Sequence, residues 1–302
     1  MTSNILPHLK TALAGIELRE NEPMREHTSF KIGGAVAAMV LPRSESEFIR
    51  ALAAMRGLEI APLVIGRGTN LLVSDAPRDV YVIKTTPELS AVTVDGNALT
   101  SACGAPLSLV ATAARDASLA GFEFAHGIPG TVGGAAYMNA GAYGGEIGAV
   151  ATSIRALTVG GEVCELSASE CDFSYRHSAF QNAELVILGA TFKLKRGDRD
   201  EIAETMRDYA ERRRSSQPLD LPSAGSAFKR PETGVYAAKL IDESGLRGFR
   251  VGGAAVSEKH TGFVVNLGGA TYDDVRRVLD HVRDTVYKHT GVQLVPEIKI
   301  IE

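Results

Sequence analysis

Residues 127–148 read GIPGTVGGAAYMNAGAYGGEIG, with eight glycines in 22 positions interleaved with alanine, threonine and asparagine. Glycine takes positive φ at no steric cost, and without a side chain it lets backbone N–H groups come close to a ligand. Successive bare amides form a concavity that suits a diphosphate. A second tract, GRGTNLLVSD (66–75), begins where the apolar run APLVIG (61–66) ends, so it follows a predicted strand. Thr69, Asn70, Thr131 and Asn139 add side-chain donors to the two tracts. Two readings stay open at this point: glycine-rich turns that join packed strands, or loops that cradle phosphates. Neither tract is a GxxxxGKS/T loop, and neither is a GxGxxG within a βαβ unit followed by an acidic residue. A P-loop kinase and a Rossmann domain are therefore not expected. The residues point to a phosphate-bearing cofactor held by loops of another scaffold.

The chain has 302 residues, 45% of them hydrophobic and 23% charged, enough for one large domain or two to three smaller ones. The net charge of −4, with both signs mixed along the chain, gives no electrostatic case for nucleic acid or an anionic membrane. Apolar runs such as LVILGATF (185–192) fall well short of the roughly 20 residues that span a bilayer. MTSNILPHLKTALAGIEL lacks a basic segment followed by an apolar core, so a cytoplasmic protein without a secretory signal is expected. Cys103, Cys164 and Cys171 form no CxxC, and the histidines show no HxxxH or HExxH spacing, so neither disulfides nor a metal are expected.

Helices are expected over 44–56, where Ser44 and Glu47 have capping-box spacing, and over 106–117, 198–216, 236–244 and 271–291. Strands are expected at 61–66, 80–84, 91–94, 99–103, 153–159, 162–166, 184–196 and 295–301, whereas QPLDLPSAG (217–225) reads as loop. This is an α+β chain whose first two-thirds are sheet-rich.

Three further residues are candidates for chemistry. Arg176 sits among aromatic and small residues in DFSYRHSAF (172–180), where it could offer a planar fork to a carboxylate or phosphate, or form a surface ion pair. Ser226, in PSAGSAFKRP (222–231), has small neighbours and no His, Asp or Glu within five residues. Glu297 follows a proline and opens an apolar strand. Arg212, Arg213 and Arg214 end a helix, where cations favour its dipole.

The ordered set HTSFKIGG (27–34), GRGTNLLVSD (66–75), GIPGTVGGAAYMNAGAYG (127–144), YRHSAF (175–180), QPLDLPSAGSAFKRP (217–231), KLIDESGLRGFRVGGAAVSEKHTGFVVN (239–266) and VPEIKII (295–301) resembles the UDP-N-acetylenolpyruvoylglucosamine reductases. YRHSAF runs directly into the next strand, which resembles the shorter subclass without a tyrosine-bearing insertion. The resemblance implies an FAD-binding fold of the vanillyl-alcohol oxidase (PCMH) type. Its two FAD-binding subdomains would be 1–90 and 91–197, followed by an α+β substrate domain, 198–302. It implies non-covalent FAD, NADPH as hydride source and a UDP-sugar substrate, with no obligate protein partner. Catalysis would fall to Arg176 and Glu297, which stabilise an enolate, and to Ser226, which protonates it. FAD would be held by Gly66, Arg67, Gly68, Thr69, Asn70, Leu71, Pro129, Gly130, Thr131, Gly133, Gly134, Asn139, Gly141, Ala142, Tyr143 and Arg214. Substrate would meet Tyr175, Lys229, Arg230, Lys239 and Lys259. An oxygen-using flavin oxidase of the same fold is the competing reading, with His126 beside Gly127 as a possible point of covalent attachment.

Overall fold

In the computed structural model, which describes residues 5–302, the central strand of the largest sheet is Val186–Lys193, with five of its eight residues buried. Its β-branched and small side chains suit a position with neighbours on both sides. Ala151–Leu157 and Ala98–Ala102 flank it, and Val163–Ser167 and Val92–Asp95 complete an antiparallel five-stranded sheet. Helix Leu107–Asp116 buries Leu107, Val110, Ala111 and Ala114, one stripe at helical spacing, in the same core as Phe122 and Phe192. Those two rings meet edge to face at 4.9 Å. A second sheet is ordered Glu17–Pro23, Ala35–Leu41, Arg78–Lys84, Leu63–Ile65, the last two parallel. Helix Glu45–Gly57 starts as its spacing predicts, with Ser44 Oγ accepting from Glu47 N at 3.2 Å, while the Glu47 carboxylate accepts from Arg43 N instead of Ser44 N.

The chain divides into two units. The first comprises residues up to Glu20, Ala38–Arg67 and Asp79–Arg213; the second comprises Asn21–Ala37, Gly68–Arg78 and Arg214–Glu302. The second unit is organised by helix Tyr272–Thr290, which has a full capping box between Thr271 and Asp274 and ends at Gly291 in the left-handed region. Val275, Val278, Leu279, Val282 and Val286 form its buried stripe, and each such burial contributes roughly 1.5–3 kcal/mol. They share a core with Val256 and Val264 of an antiparallel sheet ordered Ser223–Ser226, Phe263–Asn266, Ala254–Val256, Arg250–Val251.

Two segments differ from their sequence reading. Ser223–Ser226 is an edge strand, although its small residues carry no β signal; pairing with Phe263–Asn266 imposes the conformation. Of VPEIKII only Lys299–Ile301 is strand, parallel to Leu71–Val73. Pro296 has no N–H to donate, so the preceding residues make only an isolated bridge to Phe228.

No helix among the described residues is long and apolar enough to cross a membrane. All three cysteines are free. Burial pushes the Cys103 thiol up to about 12 and the Cys171 thiol up to about 11, which suppresses the reactive thiolate. Iodoacetamide at pH 8 should therefore modify the partly exposed Cys164 first, and Cys103 and Cys171 only after denaturation. Rapid labelling of Cys103 in the folded protein, read by peptide mass, would contradict this burial.

Candidate active site

In the first unit the two glycine tracts touch. A Cβ on Gly66 would lie 2.3 Å from Oγ1 of the buried Thr131, so the contact exists only because position 66 has no side chain. The second tract is less open than its composition implies. It folds into a short helix, Val132–Tyr137, whose first amides are already used: Val132 N donates to Ala105 O and Gly133 N to Cys103 O, at 2.9 and 2.8 Å. The Gly130 carbonyl accepts from Leu107 N, and Gly141–Ala142 pairs with Gly145–Glu146. Asn139 is fully buried at φ 42°; its amide donates to Ser174 O at 2.9 Å and accepts from Gly148 N at 2.8 Å. It thereby ties the tract to the turn that carries Arg176.

That turn is closed by Ser174 and His177, which exchange backbone hydrogen bonds. Arg176 occupies the left-handed region at φ 55°, which costs an L-residue about 1–2 kcal/mol. Nη2 donates to the Gly141 carbonyl at 3.4 Å, and the guanidinium lies 5.2 Å from the centre of the exposed Tyr175 ring. Tyr143, at φ 52°, stacks on Tyr209 at 4.2 Å and donates its hydroxyl to the Tyr209 carbonyl. Arg67 is exposed.

In the second unit Gly68 has φ 61°, and a Cβ there would lie 2.2 Å from the His27 carbonyl oxygen. The loop turns carbonyls into the protein: Gly68 O accepts from Ser29 N, and Asn70 O from Lys299 N. The amides of Gly68 and Thr69 donate to no acceptor among the described residues. Leu71 pairs with Lys299, and Asn70 Nδ2 donates to the Glu297 carbonyl at 3.2 Å.

Ser226 and Glu297 are brought together by main-chain pairing. Glu297 N donates to Ala227 O at 2.9 Å, Lys229 N to Val295 O at 2.8 Å, and Ala227 N to Gly262 O at 2.8 Å. Gly225, at φ 77°, breaks the register just before Ser226, and such bulges re-aim side chains beside active sites. The half-buried Ser226 hydroxyl has no hydrogen bond to any described residue. Two residues beyond Glu297, the half-buried Lys299 amine is held below its ordinary pKa by burial and then by the charge of Lys229. Sequence reading missed Lys299, because a lysine in an apolar strand looks like a solvated end.

The other candidates have different surroundings. Lys259 Nζ donates to the Arg214 carbonyl at 2.6 Å, in the last turn of helix Arg199–Ser216. Lys239 is exposed and 3.7 Å from Glu243. Arg230 is exposed over the Tyr236 ring at 4.3 Å.

Comparison with known proteins agrees with these features. Residues 36–167 match a family model described as FAD binding domain, and residues 217–301 match the UDP-N-acetylenolpyruvoylglucosamine reductase C-terminal domain. The UDP-N-acetylenolpyruvoylglucosamine reductase of Caldanaerobacter subterraneus subsp. tengcongensis is 45% identical over 301 residues, covering 100% of this chain and 99% of the relative. The Thermotoga maritima reductase is 45% identical over 279 residues, covering 92% and 97%. The crystal structure of the Thermus caldophilus reductase superposes with a TM-score of 0.80 at 30% identity, covering 95% of this chain and 99% of that one. A chitooligosaccharide oxidase, 14% identical with a TM-score of 0.51, shares the fold alone, over 97% of this chain and 60% of its own. The fold is thus the α+β FAD-binding fold of the vanillyl-alcohol oxidase type, as expected. The cofactor is FAD, and the protein is a flavin-dependent oxidoreductase. With full-length relatives at 45% identity, the chain belongs to the UDP-N-acetylenolpyruvoylglucosamine reductase family.

Proposed function

We propose that this enzyme uses NADPH to reduce the enolpyruvyl ether of UDP-N-acetylglucosamine enolpyruvate to UDP-N-acetylmuramate, in the cytoplasmic synthesis of peptidoglycan precursors. When bound, FAD would supply the hydride chemistry that links NADPH to C3 of the enolpyruvyl group. Ser226 then gives its hydroxyl proton to C2. The observation that carries this reading is the Ser226 hydroxyl itself, half-buried, without a protein hydrogen bond, and one residue along from the Ala227 carbonyl that binds Glu297. A donor of this kind needs no base beside it, unlike a serine nucleophile.

Arg176 and Glu297 stabilise the enolate left at C2 and the adjacent carboxylate. A strained turn fixes the Arg176 backbone, which favours a pre-set fork over a mobile one. Lys229 and Lys299 add positive charge on the Glu297 segment, offsetting the carboxylate where negative charge develops. Lys229 is the substrate lysine we favour, since Lys239 faces Glu243 and Lys259 bonds the Arg214 carbonyl. Tyr175 and Arg230 remain proposed substrate contacts, and 1–90, 91–197 and 198–302 the proposed functional division of the chain.

The test is an anaerobic absorption spectrum of the purified protein. NADPH should bleach the flavin bands and the enolpyruvyl UDP-sugar should restore them. Bands restored by oxygen but not by that sugar would replace the reductase reading with an oxidase. In that case a flavin that stays with acid-precipitated protein would point to His126.

A further inference from the structure

Helix Arg199–Ser216 ends in three consecutive arginines that its dipole alone would explain, but they are not equivalent. Arg212 is exposed and reaches Asp208 at 2.8 Å, one turn back. Arg214 is exposed. Arg213 is turned inward, against the second glycine tract: a Cβ on Gly127 would lie 3.2 Å from Arg213 Cδ. Its Nε is buried with no hydrogen-bond partner, and no described carboxylate pairs with the guanidinium. Burial pulls its pKa below the ordinary value, and the one group acting against this is the Tyr143 phenol.

A buried guanidinium N–H without an acceptor costs free energy, so the Arg213 Nε facing a glycine tract calls for an acceptor from outside the chain. A second observation concerns the other side of Gly127. His126 Nδ1 is also buried without a partner, and burial followed by the charge of Arg115 lowers its pKa, which favours the uncharged ring. Two unsatisfied polar groups therefore border one glycine. The missing partner brings an acceptor for Arg213 Nε, best met by an anionic oxygen, and a hydrogen-bonding atom for His126 Nδ1.

We propose that Arg213, not its neighbour Arg214, is the cation that holds an anionic group of FAD, with His126 as its neutral companion. This rests on FAD as the cofactor. FAD offers two candidates: the anionic diphosphate, and the N1–C2 carbonyl edge, which accepts hydrogen bonds and becomes anionic only on reduction. Tyr143, hydrogen-bonded and stacked on Tyr209, would wall the same position.

The experiment compares Arg213→Met, which keeps most of the aliphatic stem, with Arg213→Lys and Arg214→Met. Each is stripped of flavin and titrated with FAD by fluorescence quenching, and the midpoint potential of each reconstituted form is measured. Hydrogen bonds to charged groups imply that Arg213→Met weakens FAD binding on the order of 10- to 100-fold. Arg213→Lys should fall between, and Arg214→Met should stay within about twofold of the native protein. Weakened FAD binding with an unchanged potential identifies the diphosphate. A lowered potential identifies the N1–C2 edge. Both quantities unchanged in a folded Arg213→Met protein overturn the proposal, as does a larger loss in Arg214→Met. Should Arg213→Met not fold by circular dichroism, Arg213→Lys carries the same comparison. A native protein that binds no FAD would sink the cofactor assignment instead.

Discussion

Replacing Ser226 by alanine should leave FAD bound and reducible by NADPH, yet slow its reoxidation by the enolpyruvyl UDP-sugar roughly 10²–10⁴-fold, the usual loss when a general acid is removed. On the proposed mechanism the two half-reactions separate, because hydride transfer from NADPH would make no use of the Ser226 proton, whereas product formation could not finish without one. The structure favours a clean readout. The hydroxyl has no hydrogen bond to any described residue, so removing it orphans no buried partner. The strand is held by main-chain bonds, Ala227 N to Gly262 O and Glu297 N to Ala227 O, that alanine leaves intact. The variant should therefore melt within about 0.5 kcal/mol of the native protein. Stopped-flow traces with native-like reoxidation would remove Ser226 from the mechanism, and loss of flavin would make its role structural.

Gly68→Ala should have the largest effect on the folded state, about 3 kcal/mol or more in a denaturant melt, with loss of tightly bound flavin. Two penalties combine. At φ 61° an L-residue costs about 1–2 kcal/mol. The new methyl would also lie 2.2 Å from the His27 carbonyl oxygen. That carbonyl cannot easily yield, because His27 is buried and its Nε2 is 2.7 Å from Glu22 Oε1. Gly96 separates the two terms: its φ is 58°, but a Cβ would meet nothing within 4 Å. Gly96→Ala should cost only the conformational part. Equal destabilisation of the two variants would mean that the contact with His27 contributes nothing.

Much of this was legible in the sequence because the signals were local. Ser44 and Glu47 mark one helix start, Thr271 and Gly291 bracket another, and strands 99–103 and 184–196 announce themselves by branched side chains. The edge strand Ser223–Ser226 was not legible, since its conformation is dictated by a partner 40 residues away. The glycine tracts were legible as special but not in detail. Nothing local tells that the amides of Val132 and Gly133 are spent on Ala105 and Cys103 while those of Gly68 and Thr69 are not. Arg213 and Arg214 cannot be told apart in a run of three arginines; one residue is about 100° of helix rotation, and rotation decides which one turns its Nε inward.

The pairing of Leu71–Val73 with Lys299–Ile301 has a consequence for biosynthesis. The loop that begins at Gly68 leaves the ribosome early, but the strand that anchors its far end, through Lys299 N to Asn70 O, is translated much later. Every nascent chain that has not yet reached Lys299–Ile301 therefore carries Leu71–Val73 without that partner. Contacts of such long sequence separation form slowly and leave strands open to wrong partners. Completion of this loop waits for that strand to emerge, and a chain cut before Lys299 would leave it permanently unfinished.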